Sequence, residues 1–345
     1  MLEEVGQWLE RRSFSCADRP MASLLAAKRA SGTRVSVVLP ALNEERTVGG
    51  IVSVIRRELM AGGEATGPAA GPASGRAAAY GPAGSASRDA LVDELVVLDS
   101  GSTDRTAETA ARAGARVVHR DEVLPRLPAL PGKGEVLWRS LLVTRGDVVC
   151  FVDADLEDFS ADFVSGVVGP LLTDPRLRLV KAMYDRPLGD DPAGGGRVTE
   201  LVARPLLNLH WPQLAGFVQP LGGEYAARRS LLEQLPFPVG YGVELGLLVD
   251  ALHTAGLDAL AQVDVGVRRH RHQSGQALGR MAAAIQHTAQ LRMARGGSRL
   301  VRPTLTQFER VAAAPGGFAP RSHVIDTVER PPMREIEEYA ERRAA

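Results

Sequence analysis

The sequence predicts an α/β fold in which a mainly parallel, Rossmann-like sheet is flanked by helices. Three observations carry this reading. Short β-branched apolar runs alternate with segments of helical periodicity, glycine-bearing turns separate them, and polar residues gather where the apolar runs end. The 345 residues fit one large domain or two ordinary ones. Lys plus Arg and Asp plus Glu are 41 each, so no net field draws nucleic acid or an acidic membrane surface. The two cysteines, Cys16 and Cys150, are far apart, and Cys150 lies in an apolar run, which points to a reducing cytoplasm. The charged start MLEEVGQWLERRS lacks a signal-peptide core, and no run approaches the roughly 18 apolar residues of a membrane span, so a soluble protein is expected.

Residues 1–32 read as a partly helical lead-in to the strand RVSVVLP, which Pro40 is expected to stop. Asn43 is expected to cap the helix EERTVGGIVSVIRREL, whose Val48, Ile51, Val52, Ile55 and Leu59 share one face. Residues 61–89 are rich in Gly, Ala, Pro and Ser, bury too little to offset their ordering entropy, and read as a flexible insertion. Leu95 to Leu98 gives a second strand, DRTAETAARAG a helix closed by Gly114, and ARVVHR a third strand. The PGKG turn, Pro131 to Gly134, opens the helix EVLWRSLLVT, and VVCFVDADL is the next strand. This β-α-β order implies parallel strands, with PALNE, DSGSTD and DAD lining one crevice beyond their carboxyl ends. A first α/β half over 33–160, a second half over 161–295 and a tail over 296–345 complete the expected organisation.

Asp153 and Asp155 are two apart and would share a face at a strand exit, where paired carboxylates repel. A hard cation such as Mg²⁺ or Mn²⁺, completed by phosphate oxygens and water, resolves the repulsion; helix caps or solvated loop charges are the alternative. Glu157 and Asp158 are assigned to the following turn and cap. In DSGSTD, Ser102 or Thr103 suits a cap, leaving Asp99 and Ser100 to face the crevice. Glu44 either accepts bonds from a base or ribose or is a first-turn acid favourable to the helix dipole. PGKG fails the P-loop pattern, so Lys133 is a point charge for a diphosphate or base carbonyl, or a solvated turn lysine. GGGRVTELVARP places Arg197 and Thr199 in a first helical turn behind glycines, an arrangement that favours an anion. In VRRHRH, His270 and His272 are imidazoles able to share a metal with a carboxylate, and Arg268, Arg269 and Arg271 offset diphosphate charge. Glu244 in GYGVELGLL is an acid at the start of an apolar helix.

Taken in order, VSVVLPALNEE, LVVLDSGSTD, PGKGEVLWRSLL, VDADL, GGGRVTELVARPLL, QPLGGEYAA, GYGVELGLLVD and GLDALAQVDVGVRRHR resemble the actinobacterial glucosyl-3-phosphoglycerate synthases, over roughly residues 33 to 275. The resemblance implies a retaining GT-A glycosyltransferase that moves glucose from a nucleoside-diphosphate donor, UDP-glucose first and GDP-glucose second, to the 2-hydroxyl of 3-phosphoglycerate. It further implies that Pro40, Ala41, Leu42, Asn43, Glu44, Ser100, Lys133, Asp153 and Ala154 hold the nucleotide sugar. Tyr241, Gly242, Val243 and Glu244, with Arg268, Arg269, Arg271 and Gln273, would enclose donor sugar and diphosphate. Asp155 and His270 would bind Mg²⁺ or Mn²⁺, and Asp155 and Glu244 would serve catalysis. Gly196, Arg197, Val198 and Thr199, with His272, would receive the acceptor; the family usually has Asn where His272 stands and Arg where Gln273 stands. A homodimer and a product destined for glucosylglycerate or methylglucose lipopolysaccharide are implied on the same basis. The competing readings are a mannosyl-3-phosphoglycerate synthase using GDP-mannose and a non-catalytic nucleotide-sugar-binding protein. A nucleotidyltransferase is disfavoured, because PALNEE is not the Gly-rich signature such an enzyme carries near its first strand.

Overall fold

The computed structural model describes residues 2–60, 90–187, 195–270, 273–294, 304–310, 318–325 and 328–344, so the 61–89 insertion lies outside the described residues. In chain order the elements begin α1 (Glu3–Arg12), β1 (Ser13–Ser15), α2 (Met21–Ser31), β2 (Val35–Ala41), α3 (Val48–Leu59), β3 (Glu94–Asp99), α4 (Thr106–Arg112) and β4 (Arg116–His119). They continue with α5 (Lys133–Val143), β5 (Val148–Phe151), β6 (Leu156–Glu157), α6 (Asp162–Thr173), β7 (Leu179–Asp185), a π-helical turn (Thr199–Ala203) running into α7 (Arg204–His210), and β8 (Tyr225–Arg228). The chain closes through α8 (Arg229–Leu232), β9 (Phe237–Pro238), α9 (Val243–Ala255), β10 (Leu260–Val267), β11 (Arg269–His270), α10 (Gly275–Met293), β12 (Thr304–Arg310), β13 (Phe318–Val324), β14 (Glu329–Arg330) and α11 (Glu337–Ala344).

Eight strands form one sheet in the order β1-β10-β7-β8-β5-β2-β3-β4. All neighbours run parallel except β8, which is antiparallel to both β5 and β7. The reversal matters for the site, because the start of β8 arrives at the rim where the parallel strands end. Along β2, Val35, Val37 and Leu39 pack into one core with α3 and α6, while Val38 joins a second core with α5 and α9 on the opposite face. Period-2 alternation thus produces continuous apolar runs, as a sheet covered on both faces requires. Among the described residues no helix is long and apolar enough to cross a membrane.

Local expectations shift in three places. Pro40 does not stop β2 but lies within it, opposite Leu98 of β3. The partner on its other side, β5, reaches only from Val35 to Val38, so the missing N–H costs no ladder bond there. Asn43 does not cap α3: its backbone is left-handed at φ 58°, and its Oδ1 accepts from Thr103 N at 2.8 Å, which delays the helix to Val48. Glu157 does not belong to a turn and cap with Asp158 but ends the short strand Leu156–Glu157, which pairs with Arg269–His270.

The N-terminal segment is built into the sheet. β1 extends its edge beside β10, Trp8 Nε1 donates to Leu260 O at 2.8 Å, and Lys28 pairs with buried Asp93 at 2.8 Å. Lys28→Met strands the Asp93 carboxylate and is expected to cost about 3–5 kcal/mol. Arg11→Ala, which removes an exposed pair with Asp258, is expected to cost under about 1 kcal/mol. Urea unfolding followed by circular dichroism separates the two; equal midpoints would contradict the assignment.

Candidate functional site

The strand ends collect a connected set of charges. Beyond β5 the chain carries Asp153 and Asp155; beyond β10 it carries Arg268; just before β8 it carries Gly222, Gly223 and Glu224; and α5 opens on Lys133. Lys133 Nζ ion-pairs with Asp153 Oδ1 and, at 2.7 Å, with Glu244 Oε1 in the first turn of α9. Arg268 Nη2 donates to Asp153 Oδ2 at 2.9 Å and to Asp155 Oδ1 at 3.3 Å. Its Nε donates to Glu224 Oε1 at 2.9 Å.

The glycines here answer to close approach. A Cβ on Gly132 or Gly134 would collide with the backbone of Pro238 and Val239, so PGKG is the seam where α5 meets β9. A Cβ on Gly223 would collide with Asp153 and Lys133. The turn before β8 is therefore the floor on which that pair rests.

Charge states follow from these contacts. Burial disfavours the Lys133 ammonium, but Asp153 and Glu244 outweigh it and hold the group well above the usual lysine range. Burial likewise opposes the Asp153 anion, yet Lys133 and Arg268 prevail and bring it down to about 2. Asp155 moves the other way: burial, then the neighbouring Asp153 anion, raise it. An acid so placed is stabilised by a cation. His270 pairs by its backbone with Leu156, so the chain brings an imidazole-bearing residue beside the residue that follows Asp155. Among the described residues no group of three or more His, Cys, Asp and Glu side chains can hold a metal. A carboxylate so placed suits a hard divalent ion whose remaining ligands include phosphate oxygens and water.

The first-strand loop is tied to the second. Asn43 N donates to Ser102 Oγ at 3.0 Å, Glu44 N to Thr106 Oγ1 at 2.7 Å, and Ser100 N to Ala41 O at 2.8 Å. Asp99 does not face the crevice as expected: it is buried, accepts from Ser102 N and Oγ, and sits 3.2 Å from His119 Nδ1. Ser102 is spent on that turn rather than on a helix cap. Ser100 Oγ accepts from Arg120 Nη1 at 3.2 Å. Ala154 O accepts from Thr47 Oγ1, and Leu42 and Tyr241 are exposed. Gly242 packs against Thr288 and leads into buried Val243.

Elsewhere the expected residues are spread. Gly196 is left-handed at φ 76°, Val198 and Thr199 are buried, and exposed Arg197 donates to Gln273 O at 3.4 Å, bringing this loop to the segment after β11. Arg269 is exposed, 3.9 Å from Asp158. Arg271 and His272 lie outside the described residues.

Sequence reasoning missed Glu224, Gly223 and Lys181. Two of them had a signal: Glu224 is an acid opening the apolar run EYAA, and Lys181 is a lysine inside the strand LVKAMY. Lys181 is buried, donates to Gly222 O at 2.7 Å and lies 4.7 Å from the Tyr225 ring centroid.

No protein-family model matches the chain. It is 46% identical over 338 residues to the glucosyl-3-phosphoglycerate synthase of Mycolicibacterium paratuberculosis, covering 95% of this chain and 92% of that one. The crystal structure of the Mycobacterium tuberculosis glucosyl-3-phosphoglycerate synthase with Mn²⁺, UDP and phosphoglyceric acid superposes with a TM-score of 0.75 at 43% identity, covering 92% and 95%. Other structures of that mycobacterial enzyme hold Mn²⁺ with UDP-glucose and phosphoglyceric acid, or Mg²⁺ with UDP. Mannosyl-3-phosphoglycerate synthase from Rubrobacter xylanophilus gives a TM-score of 0.79 at 38% identity, covering 96% and 97%.

Lys181 supplies a pH test. Burial lowers its ammonium to about 8 from the ordinary 10.5. Between these values the unfolded chain holds more protons than the folded one, so stability rises with pH. Lys181→Met abolishes that contribution. From pH 8 to 10.5 the unfolding free energy of the parental chain is expected to gain on the variant by on the order of 3 kcal/mol. A constant gap in denaturation across that range would contradict the assignment.

Proposed function

The chain belongs to the glucosyl-3-phosphoglycerate synthase family, and from that premise we propose that it transfers glucose from UDP-glucose to the 2-hydroxyl of 3-phosphoglycerate with retention at the anomeric carbon. The observation that carries this reading is the ion-paired DAD at the strand ends together with a separate Gly-Arg loop that reaches the segment after β11. The complexes of the mycobacterial enzyme with UDP-glucose and phosphoglyceric acid support the same donor and acceptor.

Mg²⁺ or Mn²⁺, held by Asp155 and His270, supplies Lewis acidity toward the diphosphate oxygens. Lys133 and Arg268 add fixed positive charge beside them, and Asp153 keeps both cations in place. Pro40, Ala41, Leu42, Asn43, Glu44, Ser100 and Ala154 line the nucleotide end, while Arg197 and the N–H groups after Gly196 take the acceptor's phosphate and carboxylate. Holding both substrates converts a two-body encounter into a positioned attack.

Glu244 is ion-paired with Lys133 at 2.7 Å, which suits a hydrogen-bond acceptor that orients a sugar or acceptor hydroxyl. The same pairing blunts it as a nucleophile. A same-face route follows: the anomeric carbon–phosphate oxygen bond breaks, the acceptor oxygen bonds to that carbon, and the hydroxyl proton passes to the departing diphosphate. The reaction is placed in the cytoplasm, where the free Cys16 and Cys150 stay reduced.

Purified protein offered UDP-glucose, GDP-glucose and GDP-mannose with 3-phosphoglycerate and Mg²⁺ is expected to give glucosyl-3-phosphoglycerate from UDP-glucose, identified by NMR. A mannosyl product would overturn the donor, and no transfer would overturn the reaction. Arg197→Ala is expected to raise the acceptor KM about tenfold with kcat little changed. Gly223→Ala, which displaces Asp153 and Lys133, is expected to lower kcat/KM for the donor about 100-fold. Parental kinetics in both variants would refute this placement of the two subsites.

A further inference from the structure

We propose that Glu224 is a positioning residue of the donor site: its buried carboxylate holds the Arg268 guanidinium by Nε, so that Arg268 braces Asp153 without drawing Asp155 away from a divalent cation. The inference rests on the donor reading above and concerns a residue outside every candidate site set.

Glu224 is fully buried, and a carboxylate there is costly unless paired. Both oxygens are engaged: Oε1 accepts from Arg268 Nε at 2.9 Å and Oε2 from Tyr184 Oη at 2.8 Å. Its position is set from the backbone too, since Ala182 N of β7 donates to Glu224 O at 2.9 Å. The guanidinium is thereby fixed on several sides. Glu224 grips one edge, the Tyr184 ring lies 5.8 Å away, and Arg268 N donates to Asp185 O at 3.0 Å.

Nη1 is buried without a hydrogen-bond partner among the described residues, and Nη2 reaches Asp153 at 2.9 Å and Asp155 at the longer 3.3 Å. A guanidinium and a divalent cation compete for one carboxylate, and they repel each other. Glu224 acts on both effects: its negative charge offsets that repulsion, and its grip on Nε keeps the arginine from closing onto Asp155. Partners one step removed from a metal ligand, as Arg268 is from Asp155, commonly change metal affinity by about 10–100-fold, and Glu224, acting through Arg268, belongs at the lower end of that range.

The test is Mn²⁺ binding to the full chain in the presence of UDP, read by electron paramagnetic resonance of free Mn²⁺. Glu224→Gln keeps the shape and one acceptor oxygen but removes the charge. It is expected to weaken Mn²⁺ binding about tenfold while calorimetric affinity for 3-phosphoglycerate stays at the parental value. Unchanged Mn²⁺ affinity overturns the inference. So does an equal loss for both ligands, which marks a merely structural role. Tyr184→Phe retains the ring and removes one hydrogen bond to Glu224, so a smaller loss of Mn²⁺ affinity is expected. Should Glu224→Gln fail to fold, Tyr184→Phe decides, and parental Mn²⁺ affinity in it overturns the inference. A parental chain that binds no Mn²⁺ with UDP would bring down the donor reading itself, and this inference with it.

Discussion

A run of ion pairs, Glu244–Lys133–Asp153–Arg268–Glu224, buried at Glu244, Arg268 and Glu224 and part-buried at Lys133 and Asp153, is the constraint to which the rest of the site is fitted. Each member comes from a different part of the chain, so the sheet must be complete before the charges meet. Removing one partner of the fully buried Arg268–Glu224 pair leaves its neighbour uncompensated, at a cost of about 3–5 kcal/mol. The same constraint explains the bare Gly223 and the antiparallel β8, which brings Glu224 to the strand-end rim. It extends to the C-terminal segment, where Arg330 pairs with buried Glu135 and so braces the helix that opens on Lys133.

Much of this fold was legible because apolar period and turn chemistry are local. RVSVVLP, LVVL, ARVVH and VVCF all form strands of one sheet, and the helices between them fall where the spacing placed them. The errors lie where contacts that the apolar period does not encode decided the outcome. Asn43 has the chemistry of a cap but spends its oxygen on Thr103, and Asp99 turns onto Ser102 and His119 instead of the crevice. Pro40 is tolerated in a strand because its neighbour stops short. In the site, Lys133, Asp153, Asp155, Arg268 and Glu244 could be listed from the sequence and do come together. Which acid takes which cation could not be read there, since that depends on β10 reaching the end of β5. Glu224, directly before β8, and Lys181, within β7, were hidden because one charge beside or inside an apolar strand reads as an interruption of the pattern.

The division of labour between the two aspartates is the functional core of the account. Asp153 is an internal anion, saturated by Lys133 and Arg268 and thus strongly ionised. Asp155 keeps one longer contact and an unfavourable anion, the state that an incoming cation relieves. Two like residues at one strand exit thereby meet different surroundings, and on the proposed reading one holds the fixed charges while the other receives the metal.

That division is tested most directly by calorimetric titration of UDP, with and without Mn²⁺, into Asp153→Asn and Asp155→Asn, alongside their thermal unfolding. The account predicts that Asp155→Asn loses the Mn²⁺-dependent part of UDP binding while unfolding like the parental chain, and that Asp153→Asn is destabilised because Lys133 and Arg268 lose their shared anion. Two variants that bind and unfold alike would contradict it.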